Sequence, residues 1–164
     1  MWTPSESGDW LAVALVGVSV AAIVAGLAII GGPGQAREVQ RDQVRMQALI
    51  ETAEALNCYS RGAGSLPEDL QVVRAAIADS GSPARLAKGC SNAAWQDDPV
   101  TGAPFDILPI DDQHARICAV FERPTKDEPR YQGIGWHGPY IDSATPRPEA
   151  GRFCYTVNLV ASPD

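Results

Sequence analysis

The chain has 164 residues, 45% hydrophobic content and a formal net charge of −7 at pH 7. That length allows one modest domain plus one further segment. The acidic balance argues against a nucleic-acid binder, which needs clustered Lys and Arg to meet phosphates. Arginine outnumbers lysine 11 to 2 and alanine is abundant, a composition that hints at a GC-rich bacterial genome.

Residues 1–9 form a short tail without Lys or Arg. From Trp10 to Ile30 the chain carries no charge, and Ser19 is its only clearly polar side chain. As a helix, this stretch would span roughly 31 Å at about 1.5 Å per residue, matching a hydrocarbon core of about 30 Å. The reading is a transmembrane helix over 10–31. A cleaved signal peptide is the rival, and Ala36 ends a small-residue triplet that could suit cleavage. A signal peptide, however, has a basic leading region and a shorter apolar core of about 7–15 residues. Ala14, Gly17, Ala21, Ala25 and Ala28 recur at three- and four-residue steps along the segment. Such a stripe of small residues lets another membrane helix approach closely.

A Gly-Gly-Pro-Gly break at 31–34 precedes a helix expected over 35–60. Val39, Met46, Leu49, Ile50, Ala53 and Leu56 fall on one apolar stripe. Arg37, Arg41 and Arg45, interleaved with Glu38 and Asp42, read as a solvated, locally paired face. A second helix is expected over 66–79, with Pro67 in its first turn, Glu68 and Asp69 complementing the dipole, and Leu70, Val73, Ala76 and Ile77 facing inward. Residues 84–95 read as irregular or briefly helical.

Three strand candidates follow, at 104–110, 115–122 and 152–160. Pro109 confines the first to an edge. In the second, Ile117, Ala119 and Phe121 share one face, with Cys118 and Val120 on the other. Between the second and third strands lies a loop, 123–151, of 29 residues with five prolines and four glycines. A loop so long in a small domain is usually functional or mobile.

The four cysteines, Cys58, Cys90, Cys118 and Cys154, show no CxxC spacing and sit at least 28 residues apart. Zinc ligands usually come in closer pairs, so disulfides are the better reading. Disulfides need an oxidising compartment. The positive-inside rule, applied to Arg37, Arg41 and Arg45 behind the anchor, points instead to the cytoplasm. The cysteines weigh more, and the domain is expected in the periplasm.

An N-terminal helix that begins in the membrane and emerges amphipathic, followed by a small antiparallel sheet, resembles the type IV pilin and pseudopilin architecture. The closer resemblance is to uncharacterised bacterial single-pass membrane proteins of that shape. It is carried by Gly31–Pro33, the Arg/Asp-rich stretch Arg37–Arg45, "GSLPEDL", "DPVTGAPF", "CAVF" and "GRFCY", and covers about residues 28–158. The resemblance implies a pilin-like α+β fold and a pairing of Cys118 with Cys154 across neighbouring strands. It implies no reaction. The chain departs from true prepilins: Gly8 is present, but there is no basic leader and no glutamate at the required place near the start of the apolar stretch.

Asp97, Asp98 and Thr101 in "DDPVTGAPF" offer too few oxygens for a hard cation, which takes six to eight. Asp98-Pro99 with Gly102 reads as a turn leading into a strand. His114 reads as a hairpin residue. No nucleophile elbow, P-loop or dinucleotide-binding glycine motif occurs, so neither an enzyme, a metal, a cofactor nor a small-molecule substrate is expected. The expected function is that of an accessory or structural subunit in a larger bacterial inner-membrane complex, with integral membrane proteins and the bilayer as partners. Tyr131, Trp136, His137, Tyr140 and Ile141 are the expected docking residues. A pseudopilin-like component of a secretion or pilus system is the alternative.

Overall fold

The computed structural model describes residues 7–30, 33–125, 140–141 and 145–159. The chain divides into two compact units, Met1–Glu38 and Val39–Asp164. The first holds helix α1, Ser7–Ile30. Its exposed apolar side chains include Trp10, Leu11, Leu15, Val18 and Ile23, so no polar face develops. The Ser19 hydroxyl donates to the Leu15 carbonyl at 2.8 Å, closing its polarity within the helix. The side chains described in α1 run from Trp10 to Gly26, 17 residues, or about 26 Å of helix. Among the described residues no helix is long and apolar enough to cross a membrane. The expected span over 10–31 thus draws on residues beyond Gly26.

The second unit is an α+β arrangement of a long helix on a three-stranded antiparallel sheet. Helix α2 runs Pro33–Ala63 and belongs to this unit from Val39 onward. The expected stripe is the one that packs: Met46, Leu49, Ala53 and Leu56 are buried, and Ile50 lies against the same core. Gly64 ends the helix at φ +98°, with its N–H on the Ser60 carbonyl at 3.0 Å. That backbone is one a Cβ disfavours, which suits glycine after a last helical turn.

Helix α3, Leu70–Ala78, starts later than the expected 66. Asp69 caps it, accepting the Gln71 N–H at 2.9 Å, so Pro67 and Glu68 precede the helix rather than fill its first turn. Val73 and Ile77 are buried as expected, with Leu70 and Ala76 partly so. A single turn, α4, follows at Pro83–Leu86, capped by Ser82.

The strands are β1, Asp106–Pro109, β2, His114–Phe121, and β3, Gly151–Asn158, in sheet order β1-β2-β3. Pro109 therefore sits on an edge strand. Ala115, Ile117, Ala119 and Phe121 are buried and Arg116 and Val120 exposed, the alternation of a one-sided sheet, broken at Cys118, which is buried on the opposite face where it is bridged to Cys154. The inner face meets α2 and α3 in one core that includes Leu56, Val73, Ile117, Phe121, Tyr155 and Val157.

Both disulfides form, Cys58–Cys90 and Cys118–Cys154. The first ties α2 to the segment after α4. The second joins residues directly opposite one another in the β2–β3 register, as the resemblance implied.

Candidate functional site

The most polar buried region lies where α2 meets the start of the long loop and the turn before β1. Asp42 and Arg45, one helical turn apart on α2, are only 2% and 3% exposed. This corrects the expected solvated face: two of its charges are inside the fold. Asp42 accepts the backbone N–H groups of Glu122 and Arg123 at 2.9 Å each, and the Arg45 guanidinium at 3.1 Å. Arg45 Nε donates to Asp98 at 2.9 Å.

Asp98 belongs to the "DDPVTGAPF" turn, and its other oxygen accepts from Val100 N–H at 2.8 Å. Gly102, at φ +71°, closes the turn with its N–H on the Asp98 carbonyl at 2.7 Å. The turn reading therefore stands, with an addition: the same aspartate pairs with the helix. Burial raises the Asp98 carboxyl, but the Val100 N–H, the Arg45 guanidinium and the Thr101 N–H outweigh it and leave the pKa below the usual 3.8. Asp97 meanwhile pairs with Arg74 on α3 through two bonds of 3.2 and 2.9 Å.

Arg147, also buried, completes the group. Its guanidinium lies 3.8 Å from the Phe121 ring centroid, donates to the Tyr155 hydroxyl at 2.7 Å and stands 3.9 Å from Asp42. Thr125 and Arg147 bond each other twice: the Thr125 N–H donates to the Arg147 carbonyl at 3.0 Å, and the Arg147 N–H to the Thr125 hydroxyl at 2.7 Å. The two ends of the long loop are thus clasped together beside α2. Nearer the surface, Arg41 grips Glu122 through both carboxylate oxygens. Those bonds, acting against partial desolvation, hold the Glu122 pKa below its usual 4.5.

This arrangement organises chain segments. Its carboxylates are engaged by N–H donors, and two buried cations meet two buried anions. Sequence reasoning missed it, although a signal existed. Asp42 precedes Met46 by four residues and Leu49 by seven, on the very stripe that packs inward.

The remaining sequence candidates are scattered. Tyr131, Trp136 and His137 lie outside the described residues. Tyr140 is half-buried, and its carbonyl accepts the Asn158 N–H at 2.8 Å. Ile141 is 5% exposed and pairs with Val157. The short backbone pairing draws it onto β3, among the core residues. Ala14, Gly17, Ala21 and Ala25 are exposed on α1, and the side chain of Ala28 lies outside the described residues. His114 occupies the β1–β2 hairpin, facing Asp111 at 2.9 Å. Among the described residues no group of three or more His, Cys, Asp or Glu is placed to hold a metal ion.

Two shallow clefts accompany these features. One, of about 290 Å³, lies between α3, α4 and Trp95. The other, of about 200 Å³, opens beside the Cys118–Cys154 bridge. Comparison with protein-family models, with curated proteins and with solved structures finds no match to this chain.

Proposed function

We propose that the chain is a non-enzymatic, single-pass protein of a bacterial inner membrane. Its pilin-like α+β domain serves as an accessory subunit on the periplasmic face of a larger membrane complex. The observation that carries this reading is α1, a helix whose described side chains are, Ser19 aside, apolar and exposed, with no polar side. A helix hydrophobic all round is stable when buried in protein or in lipid, and the uncharged run in the sequence continues to Ile30.

Two further observations support the periplasmic placement. Two disulfides with no free cysteine suit an oxidising compartment. Of the three arginines that follow the apolar helix in sequence, Arg45 is paired with acids inside the fold and Arg41 with Glu122 nearer the surface, so a structural role accounts for both without a topogenic one. The clasped loop ends favour a scaffold over a catalyst, since the buried charges are spent on holding segments together.

The test is extraction of native membranes in a mild detergent, followed by mass spectrometry of what co-purifies with the tagged chain. A stoichiometric set of integral membrane partners supports the reading. A membrane complex that purifies unchanged without this chain, and never carries it, defeats it. The laying of a long helix on a small antiparallel sheet favours one second reading, a pseudopilin-like component of a secretion or pilus system. That reading requires head-to-tail assembly, and a strictly monomeric protein in mild detergent would count against it.

A further inference from the structure

The two disulfides differ in setting. Cys58 and Cys90 are sealed, at 1% and 0% exposure. They join α2 to an irregular segment that has no strand ladder to hold it. Cys118 and Cys154 instead face one another across β2 and β3, where eight residue pairs already hold the register. The strand pairing does not depend on that bridge. The ladder keeps their Cα atoms 4.0 Å apart, less than the roughly 4.4–6.8 Å that disulfides ordinarily span. Cys118 is buried at 2% exposure, like the other pair, and the difference in access lies in Cys154, which is only half-buried. On the other side of the bridge, Cys118 lines the cleft of about 200 Å³ together with Phe105, Asp106, Val120 and Arg152.

We infer that Cys118–Cys154 is a thiol–disulfide exchange site for low-molecular-weight monothiols, whereas Cys58–Cys90 is a permanent staple. The thiolate of the monothiol attacks Cys154 Sγ. A new sulfur–sulfur bond forms there, the Cys118–Cys154 bond breaks, and the electron pair leaves on Cys118 Sγ, which takes a proton from solvent. A second monothiol thiolate attacks the thiol-derived sulfur of the adduct. It frees Cys154 as a thiolate and releases the oxidised dimer of the monothiol. Exposed or geometrically constrained bridges are the ones that exchange, and a good leaving thiolate speeds the step. Arg152 lines the same cleft as Cys118, and in this proposal its positive charge favours Cys118 as that leaving group. Arg152 also pairs with Asp106, which keeps it positioned at the cleft. The inference concerns the chain's own chemistry and stands apart from the membrane reading.

The test uses the full-length protein in mild detergent, exposed to reduced glutathione, quenched with iodoacetamide at intervals and mapped by peptide mass spectrometry. Cys118 and Cys154 should become alkylated at least about tenfold faster than Cys58 and Cys90, with a transient glutathione adduct on Cys154. Arg152→Gln should slow this opening roughly threefold while the Cys58–Cys90 bridge, an internal control for folding, keeps its rate. Arg152→Lys should restore most of the loss. Simultaneous opening of both bridges overturns the inference, because it reports global unfolding. An adduct on Cys118 in place of Cys154, or an unchanged rate in Arg152→Gln, overturns the assigned direction of attack.

Discussion

Asp42 ties α2 to several distant segments of the described fold. It receives two backbone N–H groups at the start of the long loop and faces two buried guanidiniums. Removing one member of a buried pair leaves the other charge uncompensated, which costs about 3–5 kcal/mol. Asp42→Asn should lower stability by at least about 3 kcal/mol, read as a fall in the urea midpoint with disulfides intact. A loss below about 1 kcal/mol, the range of a surface pair, would show that the group is solvated after all. Asp98 makes a separate prediction about pH. Its folded pKa lies below the usual 3.8, so its contribution is fully present above that value and fades as pH falls through the folded pKa. Glu122 acts in the same sense from its usual 4.5. Stability should be level above about pH 5 and decline below about pH 4. Asp98→Asn should flatten part of that decline in thermal melts taken across the range, and an identical slope in the variant would remove Asp98 from the account. Neither role was legible in the sequence as such. A charged pair three residues apart looks the same whether it is solvated or enclosed, and only tertiary contacts 53 to 81 residues away decide which.

At the scale of elements, the helices and strands were legible because burial imposes their periods. The α2 stripe, the inward residues of α3 and the alternation of β2 all follow from which side meets the core. Boundaries were less legible, as α3 shows: "LPED" carries two helix-start signals, Pro67 and Asp69, and the cap at Asp69 is the one the backbone uses. The end of α2 holds a packing constraint that propensity alone would misjudge. Ala is favoured over Gly in a helix by about 1 kcal/mol, so Gly62→Ala looks stabilising. A Cβ at that position would lie 2.3 Å from the Pro83 carbonyl oxygen and 2.6 Å from the Ala84 Cα. Those are backbone atoms that cannot swing aside as a side chain would. Overpacking of this kind costs about 1–3 kcal/mol or more, and here it opposes a smaller gain. Gly62→Ala should therefore destabilise, seen as a lower melting temperature. A raised one would mean that α4 shifts freely, so that α2 and α4 are not locked at this contact.

For the whole molecule, the sequence left two physical arguments in conflict. Basic residues behind the apolar segment argued for the cytoplasm, and the cysteines argued for an oxidising side. The fold changes their relative weight. Arg41 and Arg45 have acid partners within the domain, and the requirement for those partners explains their presence near the apolar helix. Both disulfides, by contrast, have no other account than oxidation. The first, buried between α2 and the segment after α4, closes a stretch of 32 residues, a crosslink worth about 3–4 kcal/mol in the chain-entropy picture. A domain that leans on such a bridge would be disadvantaged where thiols stay reduced. Protease added to intact spheroplasts should accordingly digest the segment after α1 while sparing cytoplasmic marker proteins. Carbonate washing should leave the chain in the membrane pellet, and Val20→Arg, which sets a charge amid the apolar side chains of α1, should move part of it to the soluble fraction. A charge at the centre of a membrane helix costs about 2.5–3.5 kcal/mol on insertion scales, enough to shift a marginal anchor measurably. Protection from protease in spheroplasts, with digestion only after lysis, would return the domain to the cytoplasmic side. The arginines would then be its topogenic signal, and its disulfides would need an oxidant other than the compartment.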